Sequence, residues 1–248
     1  MRRLLTLITG GTRGIGASTA LRLAAEGHDL VLGYVHDDGA AEECLRAVEK
    51  LGARCLVVRS DVSEEAGVEE LFARARSYGR LTGVVNNAGA TLHVGTLAET
   101  PADVIRRTVD LNLTGALLVA RAAVRALSTA YGGDGGVLVN VSSGAATLGS
   151  PGEYVQYAAA KAGVDAMTNG LAKEVADGGM RVVGVAPGLV RTRIHEDAGD
   201  AGRLGRLASQ VPLGRAGEPK EIAGVIAWLL SDEASYITGT TLRVAGGR

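Results

Sequence analysis

Short apolar stretches alternate along the chain with longer stretches whose apolar residues recur at helical spacing. The runs LLTLITG (4–10), DLVLGYV (29–35), RCLVVRS (54–60), GVVNNAG (83–89), GVLVNVSS (136–143), MRVVGVAPG (180–188) and TLRVAGG (241–247) read as strands. Most are continuously apolar rather than alternating, the pattern of strands buried on both faces. Helical periodicity runs through 15–27, 39–52, 64–79, a long stretch at 101–130, 153–179 and 218–232. Seven strands and six helices in strict alternation predict an α/β fold with a doubly wound, seven-stranded parallel sheet. No linker or composition break divides it, so residues 1–248 are expected to form one domain. The irregular stretch 189–218 is polar, charged and dotted with glycine. By composition it is a solvated loop; by position, after a strand's carboxyl end, it is a candidate substrate lid.

Composition narrows this picture. The chain has 248 residues, 46% of them apolar but only 3% aromatic, so its core must be aliphatic and alanine-rich. The net charge of −1, with signs interspersed, gives no reason to expect nucleic acid or an anionic membrane as partner. Cys44 and Cys55 suit isolated thiols in a reducing compartment. The opening MRRLLTLITGG resembles a leader, but its apolar run is short and enters a glycine loop. No stretch approaches the ~18 apolar residues of a membrane span, and a cytoplasmic protein is expected. His28 and His93 lack metal-ligand spacing, and no catalytic metal is expected.

The segment TGGTRGIG (9–16) follows the first strand and opens the first helix. Its glycines, Gly10, Gly14 and Gly16, are expected to let the backbone turn tightly and approach a pyrophosphate at a helix amino terminus. In this strand–loop–helix setting it predicts dinucleotide binding in a Rossmann fold. Tyr34 stands at the end of the second strand, where a carboxylate would bind the adenosine ribose; Asp37 and Asp38 come later. Arg13 lies within the loop, where its guanidinium suits a 2′-phosphate. These residues favour NADP(H) over NAD(H). His36 is either a second contact or a solvent-facing histidine. Asp61 either holds the adenine amino group or serves a turn, with Ser63 the better cap for the next helix. Asn86 to Gly89 are expected to form a tight turn that touches the cofactor.

In YVQYAAAKAG, Tyr157 and Lys161 are four residues apart and share a helix face. A nearby ammonium lowers a phenol pKa that starts near ~10, so Tyr157 is the candidate acid/base. Tyr154, two turns from Lys161, is expected to line the pocket or pack. NVSS ends the fifth strand, and Ser143 or Ser142 would hydrogen-bond a substrate oxygen there. Asn112, a poor mid-helix residue, either marks a kink that holds a water near Lys161 or is a plain polar position.

Together TGGTRGIG, Asp61-Val62, NNAG, Asn112, NVSS, YAAAK and Pro187-Gly188 resemble the short-chain dehydrogenase/reductase family over essentially the whole chain. The resemblance is to a bacterial group close to glucose dehydrogenases and 3-oxoacyl carrier-protein reductases. It implies a catalytic tetrad of Asn112, Ser143, Tyr157 and Lys161, with hydride transfer between NADP(H) and a carbonyl or secondary alcohol. Gly10, Thr12, Arg13, Gly14, Ile15 and Gly16 would hold the cofactor. So would Tyr34, His36, Asp61, Val62, Asn87, Ala88 and Gly89. Tyr157, Lys161, Pro187, Gly188, Val190 and Thr192 would complete its site. The family resemblance also implies a homotetramer. Ser143 lies fourteen residues before Tyr157, one more than the family's commonest spacing, so an extra residue is expected to loop out within 144–153. A different class, a non-catalytic dinucleotide sensor or scaffold, would be expected to lack tetrad members.

Overall fold

Seven parallel strands form one sheet in a computed structural model that describes residues 3–248. Met1 and Arg2, at the start of the leader-like stretch, lie outside the described residues. The strands are β1 (Leu4–Ile8), β2 (His28–Tyr34), β3 (Cys55–Arg59), β4 (Gly83–Asn86), β5 (Gly136–Val141), β6 (Met180–Pro187) and β7 (Thr241–Val244), each within a stretch read from the sequence except β2, which starts one residue earlier. Their order is β3-β2-β1-β4-β5-β6-β7. The chain starts at β1, winds outward to β3, then returns to pair β4 on the other side of β1. This reversal opens a crevice at the carboxyl ends of β1 and β4, where such sheets bind ligands.

Helices cover both faces. They are α1 (Gly14–Ala25), α2 (Asp38–Lys50), α3 (Glu65–Tyr78), α4 (Ala102–Val109), α5 (Gly115–Leu127), α6 (Ala145–Leu148), α7 (Val155–Glu174), α8 (Arg203–Leu207) and α9 (Pro219–Leu230). One core layer packs Leu23 of α1, Val48 of α2 and Ile226 of α9 against Ile8, Leu32 and Val139. The other packs Phe72 of α3, Val119 of α5 and Ala172 of α7 against Leu7, Val84 and Leu138. Adjacent strand residues thus go to opposite layers, which is why the strands read as continuously apolar. Cys44 and Cys55 are free thiols, and burial pushes them up to about 11 and about 12.

The structure corrects the sequence reading in three places. The 101–130 stretch is not one helix: a π-helical turn over Asp110–Thr114 separates α4 from α5. Ser63 does not cap α3, whose amino-terminal cap position is Glu64 with no side-chain cap bond. Instead Asp61 Oδ1 accepts from both the Ser63 amide and hydroxyl, at 3.0 and 2.7 Å, an Asx turn. The 189–218 stretch is not a loose loop either. Val190 and Gly217 form a bridge across its neck, α8 lies within it, and Leu189, Val211 and Ala216 make a small core of their own. No helix among the described residues is long and apolar enough to cross a membrane.

Candidate active site

A cavity of about 790 Å³ opens at the carboxyl edge of the sheet, a volume typical of cofactor and substrate sites. At its floor Asn87 joins β4 to the glycine loop. Its Nδ2 donates to the Thr9 and Gly10 carbonyls at 2.9 and 3.0 Å, and its amide donates to Thr9 Oγ1 at 2.9 Å. Asn86 points the other way, donating to the Ala116 carbonyl and to Asn140. The paired asparagines therefore hold the turn, as their residue type predicts.

The glycines divide the work. Gly10 and Gly14 have φ of 59° and 53°, the left-handed region that favours glycine, and both line the cavity. Gly16 does not line it: the residue is buried behind the loop, where an added methyl would collide with the Gly10 carbonyl oxygen. Its Cα packs closely against the loop backbone, set back from the cavity lining that Gly10 and Gly14 share. The α1 amino terminus at Arg13 carries no side-chain cap, leaving its first N–H groups for an anion. Thr12, Arg13 and Ile15 line the cavity beside it.

At the end nearest β2 and β3, Tyr34, His36, Asp61 and Val62 all line the cavity. Tyr34 is the last residue of β2, and its hydroxyl donates to Asp38 at 2.9 Å. Arg59 also pairs with Asp38 at 2.6 Å, which holds this carboxyl below its usual range. Arg13 sits between Asp37 at 3.9 Å and Asp197 at 3.8 Å, about half exposed. Pairs this long and exposed are weak.

At the other end, Ser143 and Tyr157 line the cavity with Lys161, Pro187, Gly188, Val190 and Thr192. Tyr157 projects from the first turn of α7 and Lys161 from the next. The Lys161 ammonium donates to the Val141 carbonyl at 2.8 Å and lies 5.7 Å from the Tyr157 ring centroid. Burial lowers its pKa to about 8, against a smaller opposing pull from Asp165. Burial also raises the Tyr157 pKa well above its ordinary value; the Ser143 hydroxyl opposes this and Tyr154 adds to it. The sequence reading, a phenol acidified by the lysine, has the opposite sign. Its physical reason is desolvation of the buried ring, while the lysine ammonium is directed at the Val141 carbonyl.

The two serines separate clearly. Ser142 is buried and donates its hydroxyl to the Lys161 carbonyl at 3.2 Å. Ser143 is the serine on the phenol, and its Oγ accepts from the Ala145 amide at 3.1 Å. Between it and α7 the chain forms α6 and then three left-handed residues, Gly149, Ser150 and Gly152. Asn112 is fully buried in the π-helical turn and does not line the cavity. Its Nδ2 donates to the Ala90 and Thr108 carbonyls at 2.8 and 2.9 Å, and its Oδ1 accepts from the Ala90 amide at 3.2 Å. An added methyl at Gly89 would stand 2.7 Å from Asn112 Oδ1 and 3.3 Å from Lys161 Nζ. Gly89 is thus a cradle in which Asn112, Lys161 and the strand-end loop converge. Ala88 lines the cavity beside it.

Sequence reasoning missed Arg203. It lines the cavity, is 3% exposed, pairs with Glu153 and donates to the Tyr154 hydroxyl at 2.7 Å. Two other arginines of 189–218 are exposed by comparison: Arg191 pairs with Glu218 and Arg193 with Asp197.

The left-handed loop glycines, the uncapped helix start and the Gly89 cradle fit a nicotinamide dinucleotide. Comparison with known proteins agrees. The family model described as "Enoyl-(Acyl carrier protein) reductase" matches residues 10–248. The uncharacterized oxidoreductase YgfF of Escherichia coli is 42% identical over 245 residues, spanning 98% of this chain and 99% of its own. The chain belongs to the short-chain dehydrogenase/reductase family. Within this family, an L-rhamnose 1-dehydrogenase (NAD(P)(+)) of Sphingomonas is 36% identical, covering 97% of this chain and 94% of its own. A short-chain type dehydrogenase/reductase from Mycobacterium marinum superposes with a TM-score of 0.91 at 30% identity, covering 98% and 94% of the two chains. The protein is an oxidoreductase of this family, and its relatives include NAD(P)-dependent dehydrogenases.

Proposed function

We propose that the protein is an NADP(H)-dependent carbonyl reductase or alcohol dehydrogenase with Tyr157 as its acid/base. The observation that carries this reading is the meeting of Ser143, Tyr157 and Lys161 in one cavity with the glycine loop. The nicotinamide, when bound, supplies the hydride for reduction or takes it for oxidation. Reduction also needs a proton on the carbonyl oxygen. Tyr157 gives it, and its raised pKa keeps the phenol protonated at neutral pH. Ser143, beside that phenol, donates to the same oxygen and shares its developing charge. Lys161 holds the nicotinamide ribose, and Asn112 braces the 89–90 backbone beside it.

The NADP(H) preference draws support from the adenosine end. No carboxylate ends β2, Asp38 is occupied by Arg59, and the weak pairs of Arg13 leave its guanidinium open to a 2′-phosphate. Residues 1–248 are read as one catalytic unit with 189–218 as its lid. The tetramer expected of the family would draw on exposed apolar residues such as Leu117, Trp228 and Tyr236.

A panel of ketones, sugars and acyl thioesters, followed by nicotinamide absorbance with each dinucleotide, tests the reading. Turnover of at least one carbonyl or alcohol is expected, and Tyr157→Phe should abolish it while cofactor still binds. A Tyr157→Phe enzyme that turns over normally would overturn it.

A further inference from the structure

We propose that Arg203, carried on α8 of the lid, is a positioning residue for this reaction: it couples lid closure to the placement of the Tyr154 and Tyr157 rings. The inference rests on the reading of Tyr157 as acid/base and adds a second component to the catalytic machinery.

An arginine in a polar, glycine-dotted segment belongs in water, and arginine is almost never fully buried unless paired. Arg203 is 3% exposed because two successive residues of the body receive it. Nη1 pairs with the Glu153 carboxylate, and Nη2 donates to the Tyr154 hydroxyl at 2.7 Å. Its guanidinium carbon also lies 5.0 Å from the Tyr154 ring centroid. A planar fork grips two neighbours in this way; an ammonium does not.

Those two neighbours begin the catalytic helix. Tyr154 is the cap residue of α7, and its carbonyl accepts from the Tyr157 and Ala158 amides, both at 3.1 Å. Its ring meets the Tyr157 ring edge to face, with centroids 5.5 Å apart and planes at 88°. From lid to acid/base the route is therefore two side chains long.

The corner that Arg203 grips is a sharp turn closed by long backbone bonds: the Glu153 and Tyr154 amides both donate to the Ser150 carbonyl, at 3.2 and 3.3 Å. Gly149, Ser150 and Gly152 all have left-handed φ, Ser150 at 47° without the excuse of being glycine. The amino terminus of α7 has no side-chain cap bond. The lid, in contrast, holds itself together through its Val190–Gly217 neck and its own small core. Arg203 is thus not needed to shape the lid; its partners are all on the body. The seam is also one that can part. Arg203 Nε and His195 Nδ1 are both buried there with no hydrogen-bond partner, and buried polar atoms left unpaired weigh against the closed arrangement.

Four variants of the full chain test this: Arg203→Met, Arg203→Lys, Tyr154→Leu and, as control, Tyr157→Phe. The probe is the fastest substrate of the panel, with cofactor affinity read from nicotinamide fluorescence and backbone order from hydrogen–deuterium exchange. Arg203→Met is expected to lower kcat by on the order of 10²-fold, the cost of misplacing a reacting group, while cofactor affinity holds. Exchange should quicken at 150–158 and 189–218 together. Arg203→Lys should recover only part of kcat. Tyr154→Leu, which breaks the relay from the body's side, should lower kcat similarly even if Arg203→Met folds poorly. Wild-type kcat in Arg203→Met or Tyr154→Leu overturns the proposal, as does faster exchange confined to the lid. If Tyr157→Phe keeps its turnover, the acid/base reading fails. If Tyr157→Phe is dead and Arg203→Met is normal, only the positioning role of Arg203 fails.

Discussion

The Lys161 ammonium donates to the Val141 carbonyl at 2.8 Å while lying 5.7 Å from the centre of the Tyr157 ring. The lysine is thus tied to the strand end, and the phenol experiences mainly its own burial. Tyr157 consequently stays protonated through neutral pH, its pKa raised rather than lowered. In the proposed acid/base role, oxidation of an alcohol needs the phenolate and reduction of a carbonyl needs the phenol. The kcat/KM for oxidation should therefore rise steadily as pH increases, with no plateau in the neutral range. The kcat/KM for reduction should show no loss from phenol ionisation there. Rate profiles in both directions decide this.

Lys161 also carries a stability signature. Its folded pKa is about 8, below the unfolded value of 10.5. Below about pH 8 both states hold the proton, and the burial cost is constant. Between about pH 8 and 10.5 the native state loses its proton first, so this lysine's contribution to stability improves as pH rises, by roughly 3 kcal/mol in total. Urea denaturation at pH 7 and pH 10 should show most of that gain, about 2.5 kcal/mol, in the wild type and lose it in Lys161→Met.

His195 works in the opposite pH range. Burial first, and then Arg203, push its pKa down to about 4, against the pull of Asp200 and Glu153. The unfolded or opened segment would titrate near 6.5. Stability of the closed lid should be complete above that value and decline as pH falls through it toward 4. Limited proteolysis within 189–218 is expected to accelerate at pH 5 relative to pH 7.5, and His195→Asn should flatten the difference.

Arg13 should discriminate between the dinucleotides. Replacing it by alanine is expected to weaken NADP(H) binding about tenfold or more, the worth of a charge-assisted hydrogen bond, and NAD(H) binding by no more than about twofold. Equal losses for both, measured by fluorescence titration, would leave the 2′-phosphate reading without its cation.

Gly16→Val should damage the fold before it touches chemistry. The new side chain meets the Gly10 carbonyl and, at 2.8 Å, Asn87 Nδ2, overpacking of a kind that costs ~1–3 kcal/mol. A lowered thermal midpoint together with weakened cofactor binding is the expected result.

Much of this architecture was legible in the residues themselves. Each strand declared itself as an apolar run because both sheet faces are covered, and the glycine loop was readable from its position between β1 and α1. Tyr157 and Lys161 followed from a four-residue spacing, which is local. What stayed hidden was set by distance along the chain. Arg203 meets Glu153 fifty residues upstream, and nothing in a polar lid marks one arginine as buried. The sign of the Tyr157 shift was also unreadable, because desolvation depends on what surrounds the ring and not on its neighbours in sequence. A break at Asn112 was one of two readings of a poor helix former; its π-helical form was not legible, since apolar periodicity runs smoothly through it.

That widened turn at Asp110–Thr114 sets regularity against reactivity. Deleting a single residue there would let α4 and α5 merge into one straight rod, the arrangement a helix prefers when left alone. An edit ahead of Asn112 would swing everything beyond it by about 100° around the axis, carrying the Asn112 carboxamide away from the Ala90 backbone it holds. The chain keeps an imperfect coil because a perfect one would face the wrong way.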